Sequence, residues 1–524
     1  MFALGIAIGF YAYIIFTLGV LHLLYAPIIF VITLAFFGAI ITSFSGNLLN
    51  NHITLPKTKL SITLIVLLVI QSVINLVGSM GPELGFDALW YHLTLPKLFL
   101  QNHSIYHIGG ILYYSDLPKI IEMLYIPALA FGNEILAKNI HFLFGMGCVF
   151  AIYMLGKKIV GAKAALLACA IFYANLVVGF ESITAYIDLG RTFFEILAFW
   201  SFFLWTQNKK YKWFIFTGIF VGLAITTKLI AVGTLIIFLI LIIWALRTQK
   251  KSYSQIIKNL VIFTLVTFFV PLPWFIFSFI QTHNPIYPLF TSTYPIPFNP
   301  SLLNPITFTS NFLGLLLHAD DPLNPIYFIV LPFILLNWKK LYNKQPLLLL
   351  YSFLATIIWY ITPQTGGGRF ILAYLPIISL LTSFTIVEDE NKTKRNILVA
   401  TVIFLSIISI IYRGVANTKF ISVILGEETK AQFLAKNLNF KFGDFYDIDG
   451  YFTKTIKPAD TVLLIGFHNL YYVNFPFTDN SWSKMGSKYN YIVVQNGTIS
   501  NTCKCWQPIY KNNRTNVIVY KYKK

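Results

Sequence analysis

The stretch LSITLIVLLVIQSVINLVGSMGPELGFDALWYHLTLPK, residues 60–97, decides how this chain folds. Residues 60–79 carry no charge and, as a helix rising ~1.5 Å per residue, would cross the ~30 Å hydrocarbon core of a bilayer. Directly afterwards, Gly85-Phe-Asp-Ala-Leu-Trp-Tyr-His-Leu-Thr-Leu-Pro-Lys97 sets the carboxylate of Asp87 beside Trp90, Tyr91, His92 and Lys97. An acid at a membrane surface, ringed by aromatic and cationic groups, suits chemistry on a polar substrate held by a lipid.

The pattern of residues 60–79 recurs. Of 524 residues, 57% are hydrophobic and 11% charged, against ~25% charged in soluble domains, and the mean hydropathy is +0.70. Apolar runs near 2–20, 26–42, 60–79, 138–156, 160–180, 190–206, 212–227, 229–246, 260–280, 325–338, 347–361, 370–387 and 397–412 predict a polytopic α-helical membrane protein with about 13 transmembrane helices. The first run has no preceding basic residue and a second follows at once, so it reads as a span and not as a secretory signal. Cys148 and Cys169 fall inside spans, as small apolar fillers. Cys503 and Cys505 form a C-x-C without a second ligand pair, so neither a zinc site nor a disulfide framework is expected.

Lysine and arginine set the orientation. One set of alternate loops holds 18 of them and the other set 5. By the positive-inside bias the richer set faces the cytoplasm, which places the N-terminus inside and Asp87 and the tail outside. The net charge of +19 is thereby explained by topology, and nucleic acid is not an expected partner. Two outer loops are long. Residues 80–137 contain short amphipathic stretches at Leu95–Gln101 and Lys119–Phe131, while the proline-rich residues 281–324 predict an ordered, non-helical excursion. The expected division is a membrane domain over 1–412 and a small extracytoplasmic α/β domain over 413–524. In the latter, Glu427–Leu438 reads as a helix, and Thr461–Gly466, Tyr491–Gln495 and Asn516–Tyr522 read as strands.

A membrane enzyme that moves a sugar from a lipid phosphate to a hydroxyl needs few groups. The phosphate leaves without a general acid, cations neutralise it, and a carboxylate or imidazole takes the acceptor proton. Asp87 is the candidate base; its bland alternative is a cap on the helix beginning near Ala88. Asp188 opens a span, with Arg191 and Glu195 on the same helical face. Arg191 and Glu195 read as a structural pair, whereas Asp188 could bind acceptor or share a divalent cation with Asp87; no other cofactor and no dedicated metal-ligand set is expected. Lys228, at an outer span end, and Arg369, after Gly366-Gly-Gly, suit an anionic phosphate. Tyr91, His92 and Lys97 complete the expected substrate-binding set. His318, Asp320 and Asp321 read as a turn before a span, and Tyr106, Tyr113 and Tyr114 as aromatics that belt an interface or stack on sugars.

Together these segments resemble the GT-C superfamily of membrane glycosyltransferases, in its protein-mannosyltransferase and aminoarabinose-transferase-like branch. The resemblance rests on Phe86-Asp87-Ala-Leu-Trp-Tyr91-His92 with Pro96-Lys97, on Tyr186-Ile-Asp188-Leu, on Gly222-Leu-Ala-Ile-Thr-Thr-Lys228, on Asn284-Pro-Ile-Tyr-Pro288 and on Arg369-Phe. It implies a GT-C-like fold, a polyprenyl-phosphate-linked sugar donor, and a glycan, lipid or protein acceptor. It makes Asp87 the catalytic base, Asp188 a second acidic site residue, and Lys228 and Arg369 the groups facing the donor phosphate. Asp87 is followed by alanine, so the paired acids of some relatives are missing. The expectation is an inverting glycosyltransferase at the outer face of a cell membrane. Its rival is a polytopic transporter or flippase, which mid-span ionisable residues and paired broken helices would favour.

Overall fold

The computed structural model describes residues 1–48, 56–292, 294, 295, 299–317, 322–362, 367–499 and 505–523, with the backbone alone for 43–48. His318, Asp320, Asp321, Gly366 and Cys503 lie outside the described residues. Five helices are long and apolar enough to cross a membrane: Phe2–Val20, Lys59–Ser79, Glu134–Ile159, Leu229–Thr248 and Lys392–Ile424. A sixth candidate is the pair Tyr253–Phe269 and Leu272–Thr282, bent by 59° where Pro271 removes a backbone donor.

About 13 spans were expected from the apolar runs; among the described residues that number is not reached. The runs are helical, but seven of the apolar helices have only 10–17 residues, and 17 residues rise only about 26 Å; the helix Ala26–Leu48 has 23. Polar interruptions are the reason. The run at 160–180 divides into Ala162–Tyr173 and Leu176–Glu181 at buried Asn175, whose amide bonds the carbonyls of Ile171 and Phe172 and the backbone N–H of Asn324. The 281–324 excursion also needs correction. It contains a helix at Pro305–Leu317, because Pro305 occupies the first turn, where no N–H is needed, and Asn304 accepts from the Ile306 N–H.

At the centre lies the helix Asp188–Asn208, in which every residue from Asp188 to Phe202 is buried. It packs against Glu134–Ile159 and Tyr211–Thr227. The first helix closes on it through Gly5, where a Cβ would come within 2.7 Å of Leu197. A glycine here lets two backbones approach.

The C-terminal segment forms a five-stranded mixed sheet. Its strands are β1 (Val462–Ile465), β2 (Thr478–Asp479), β3 (Tyr491–Gln495), β4 (Trp506–Asn512) and β5 (Val517–Tyr522), in the spatial order β2-β1-β3-β5-β4. β1 pairs in parallel with β2 and β3, and β5 runs antiparallel to β3 and β4. Strands β1, β3 and β5 fall where alternation and β-branching place them; β4, half exposed and interrupted by Pro508, and the two-residue β2 carry no such signal. The expected helix starts at Lys430, behind a capping box of Thr429 and Gln432. Cys148 and Cys169 are buried free thiols, and Cys505 is disulfide-bonded.

This sheet unit is fastened to the 80–137 loop. The Tyr471 N–H donates to the Leu89 carbonyl at 3.2 Å, Tyr472 donates to the Glu83 carbonyl at 3.0 Å, and both tyrosine hydroxyls reach Glu134. Lys97 donates to the carbonyls of Tyr471, at 2.7 Å, and Val473, at 2.5 Å. Burial pushes its ammonium down to about 8. Replacing Lys97 by Met strands two carbonyls, and each buried unsatisfied group costs about 1–3 kcal/mol. Lys97→Met should therefore lower the thermal midpoint and expose the tail to limited proteolysis; an unchanged digestion pattern would show that the contact does not hold the tail.

Candidate active site

Asp87 precedes a short π-helix, Ala88–His92, a form frequent at functional sites. Its own backbone is helical and its carboxylate makes no capping bond, so the cap reading fails. The carboxylate turns instead to Arg369, whose Nη1 donates to Oδ2 at 2.6 Å across 282 residues. Arg369 stands in a 3-10 turn, Gly367–Arg369, where Gly367 has φ +53°, a conformation that favours glycine.

The same guanidinium serves two further acids. Its Nε donates to Asp188 Oδ2 at 2.9 Å and lies 3.2 Å from Glu181 Oε1. The ring of Tyr186 lies beneath it, 4.2 Å from the guanidinium carbon, and the Tyr186 hydroxyl accepts from the Asp87 N–H at 3.2 Å. Lys228 sits in extended backbone where Tyr211–Thr227 ends. Its ammonium donates to Asp188 Oδ1 at 2.7 Å and lies 4.9 Å from the Phe370 ring centroid. Asp188 is the first residue of the central helix, at the end whose free N–H groups favour an anion.

Accessibility divides these groups by task. The side chains of Asp87, Arg369 and Lys228 keep 17%, 13% and 20% exposure, whereas Asp188 and Glu181 keep 2% and 0%. The first three can meet a substrate; the buried acids can only hold the cations in place. Burial pushes the Asp87 carboxyl up, but Arg369, His92 and Lys228 outweigh it and hold it below its ordinary value of 3.8. Burial and the charge of Asp87 keep the Tyr91 phenol well above its ordinary range, hence neutral and able to donate.

The predicted residues are thus distributed unevenly. Asp87, Asp188, Lys228 and Arg369 form one cluster, with Tyr91 at its edge. His92 is fully buried and bonds Glu122 at 2.9 Å through Nδ1, behind the cluster. Lys97 is occupied by the tail carbonyls, away from it. The Asp188, Arg191 and Glu195 face divides: Arg191 pairs with Glu195 at 2.7 Å and receives the Tyr374 hydroxyl as a second acceptor at 3.0 Å, while Asp188 turns to Lys228 and Arg369. A guanidinium stands between the carboxylates that a shared divalent cation would bridge, and no group of three metal-ligating side chains occurs among the described residues.

Glu181, Tyr186 and Phe370 carry no site role from the sequence, although Tyr186 and Phe370 lie within the motifs of the resemblance. Glu181 was legible as an outer acid seven residues before Asp188. Two acids already balance Lys228 and Arg369, however, so nothing in the sequence called for a third.

Residues 106–284 match the family model of the dolichyl-phosphate-mannose-protein mannosyltransferases; this segment includes Asp188 and Lys228 but not Asp87 or Arg369. No curated protein matches the chain by sequence. Among solved structures, ArnT from Cupriavidus metallidurans in the apo state is similar with a TM-score of 0.60 at 12% identity, over 87% of this chain and 97% of that one. ArnT bound to undecaprenyl phosphate gives 0.54 at 12% identity, over 88% and 97%. The Archaeoglobus fulgidus oligosaccharyltransferase in complex with Zn and sulfate gives 0.50 at 14% identity, over 82% and 67%. The chain thus shares its fold with these two membrane transferases and, over residues 106–284, is similar to the dolichyl-phosphate-mannose-protein mannosyltransferase family.

Proposed function

We propose that this protein is an inverting glycosyltransferase that moves a sugar from a polyprenyl-phosphate donor to a hydroxyl acceptor at the outer face of the membrane. The contact of Asp87 with Arg369 carries the reading, because it joins a candidate base to a candidate phosphate ligand. The resemblance to ArnT, which has been solved with undecaprenyl phosphate, supports the class of donor. The loop asymmetry of lysine and arginine supports the outward placement.

Each group has a defined task. Asp87 accepts the proton of the acceptor hydroxyl as its oxygen attacks the anomeric carbon. The bond from that carbon to the phosphate oxygen breaks, and the electron pair leaves with the phosphate, whose charge needs no general acid. Arg369 has five N–H donors; with Nε and Nη1 on acids, Nη2 has no partner among the described residues. Arg369 and Lys228 face the phosphate, and Asp188 and Glu181 fix them before the donor arrives, so little reorganisation is needed during reaction. Tyr91 donates to a sugar or phosphate oxygen. Tyr294 lies 6.2 Å from Tyr113 and from Tyr114, rings that pack against Trp90. A transporter would draw on unpaired charge within the bundle, and the Arg191 and Glu195 pair satisfies itself.

Purified protein given radiolabelled polyprenyl-phosphate sugar and acceptor should transfer label. Asp87→Asn should cut the rate by about 10²–10⁴, the range for losing a general base, with expression intact; a variant within twofold of wild type sinks the assignment. Arg369→Lys keeps the charge but loses the planar fork, and should cost about 10²-fold. The pH dependence has a definite sign. Because the folded-state value of Asp87 is depressed, its contribution to stability is present above pH 3.8 and is lost as pH falls through that lower value. Its base form likewise persists at neutrality, so kcat/KM should show no rising limb above about pH 5. A limb between pH 6 and 7 would assign the base to an imidazole instead.

A further inference from the structure

Away from the Asp87 cluster, a cleft of about 590 Å³ opens between the loop that follows Thr94–Gln101 and residues 474–484 of the tail. This volume lies within the range of small-molecule sites, about 300–1,000 Å³. Its floor and walls include Tyr106, Phe475, Phe477 and Trp482, with Gln101 and Asn474 at the rim. Phe475 is buried, Tyr106, Phe477 and Trp482 are half-buried, and the two amides are exposed. Asn102 donates to the Tyr106 hydroxyl at 3.0 Å, which fixes that ring in advance.

We infer that this cleft binds carbohydrate, as a subsite for a glycan acceptor; the inference rests on the glycosyl-transfer reading and names its acceptor class. Sugars present one face of C–H groups, which aromatic planes cover, and a girdle of hydroxyls that both donate and accept. Side-chain amides offer both functions in one group, and half-buried aromatic rings supply apolar area without losing a polar edge. A peptide would draw on an unpaired strand edge for its backbone, and none of the sheet strands runs through the cleft lining.

The cleft is also coupled to the reaction site. Ile111 bridges them with a single residue: its carbonyl accepts from Trp90 Nε1 at 2.9 Å, and its N–H donates to Ser481 Oγ at 2.9 Å. Trp90 is three residues from Asp87, and Ser481 adjoins Trp482. The neighbouring Gly110 permits this approach, since a Cβ there would lie 2.3 Å from Ser481 Oγ. From Trp90 an aromatic wall continues through Tyr113, at 5.6 Å, and Tyr114, at 5.5 Å. The cleft and the segment that carries the base are thus joined through the backbone of Ile111.

Saturation-transfer NMR on the full-length protein in detergent, with linear hexose oligosaccharides as probes, tests the inference. Wild type should bind. Trp482→Ala should weaken binding about tenfold, the order expected for one lost ring contact. Asn474→Ala, at an exposed rim position where folding is not at stake, should weaken it about threefold. Absence of oligosaccharide binding, binding indifferent to both cleft variants, or a serine- and threonine-rich peptide taking the cleft in place of sugars overturns the proposal. A protein that transfers label from the lipid donor yet ignores the oligosaccharides removes the subsite and leaves the transferase reading standing. One that binds them through Trp482 but transfers nothing does the reverse.

Discussion

One guanidinium among three carboxylates organises this site. Arg369 meets Asp87 at 2.6 Å, Asp188 at 2.9 Å and Glu181 at 3.2 Å, and each acid comes from a different element. A buried ion cluster of this kind is a poor source of stability, because desolvation consumes much of the attraction. Its effect is geometric. With the arginine in place, the π-helix after Asp87, the start of the central helix and the turn at Gly367 are held against one another. Removing a single partner leaves an uncompensated buried charge, typically at a cost of ~3–5 kcal/mol.

The rest of the fold supplies what that cluster requires. The central helix is buried along its whole first half, so Asp188 is delivered at a fixed depth by a rigid element. A second buried pair, Arg191 with Glu195, lies one turn further in and neutralises itself at 2.7 Å, which leaves Asp188 for the cations above. Lys228 stands where one helix stops and the next begins, and its extended backbone aims the ammonium back at Asp188. The sheet unit, seated on the 80–137 loop, roofs the same region: His468 packs 4.7 Å from the rings of both Phe86 and Trp90, which flank Asp87.

Of the residues named from the sequence, those that converge lie where charge is scarce, and those with ordinary alternatives lie elsewhere. A poorly charged chain with few outer cations makes Lys228 and Arg369 conspicuous, and both lie in the cluster. Lys97, equally conspicuous, is held by backbone carbonyls of the tail, a destination that no local pattern encodes. His92 faces Glu122, thirty residues away. The span count is a related case: about 13 were expected, and five helices and one bent pair meet the length and hydropathy for crossing among the described residues. Hydropathy reports that a segment can be buried, but not whether an asparagine or a proline will divide it into helices too short to cross.

Composition, apolar run lengths and the asymmetry of lysine and arginine determined that this chain is a helical membrane protein with a small mixed domain after it. Periodicity placed three of the five strands. These properties are local sums over neighbouring residues, and a sequence displays them directly. The meeting of Asp87 with Arg369 across 282 residues, the recruitment of Glu181 and Tyr186, and the cleft against the tail were decided by tertiary structure alone. They depend on which helix ends converge at one level of the bundle, and that follows from packing among many side chains at once.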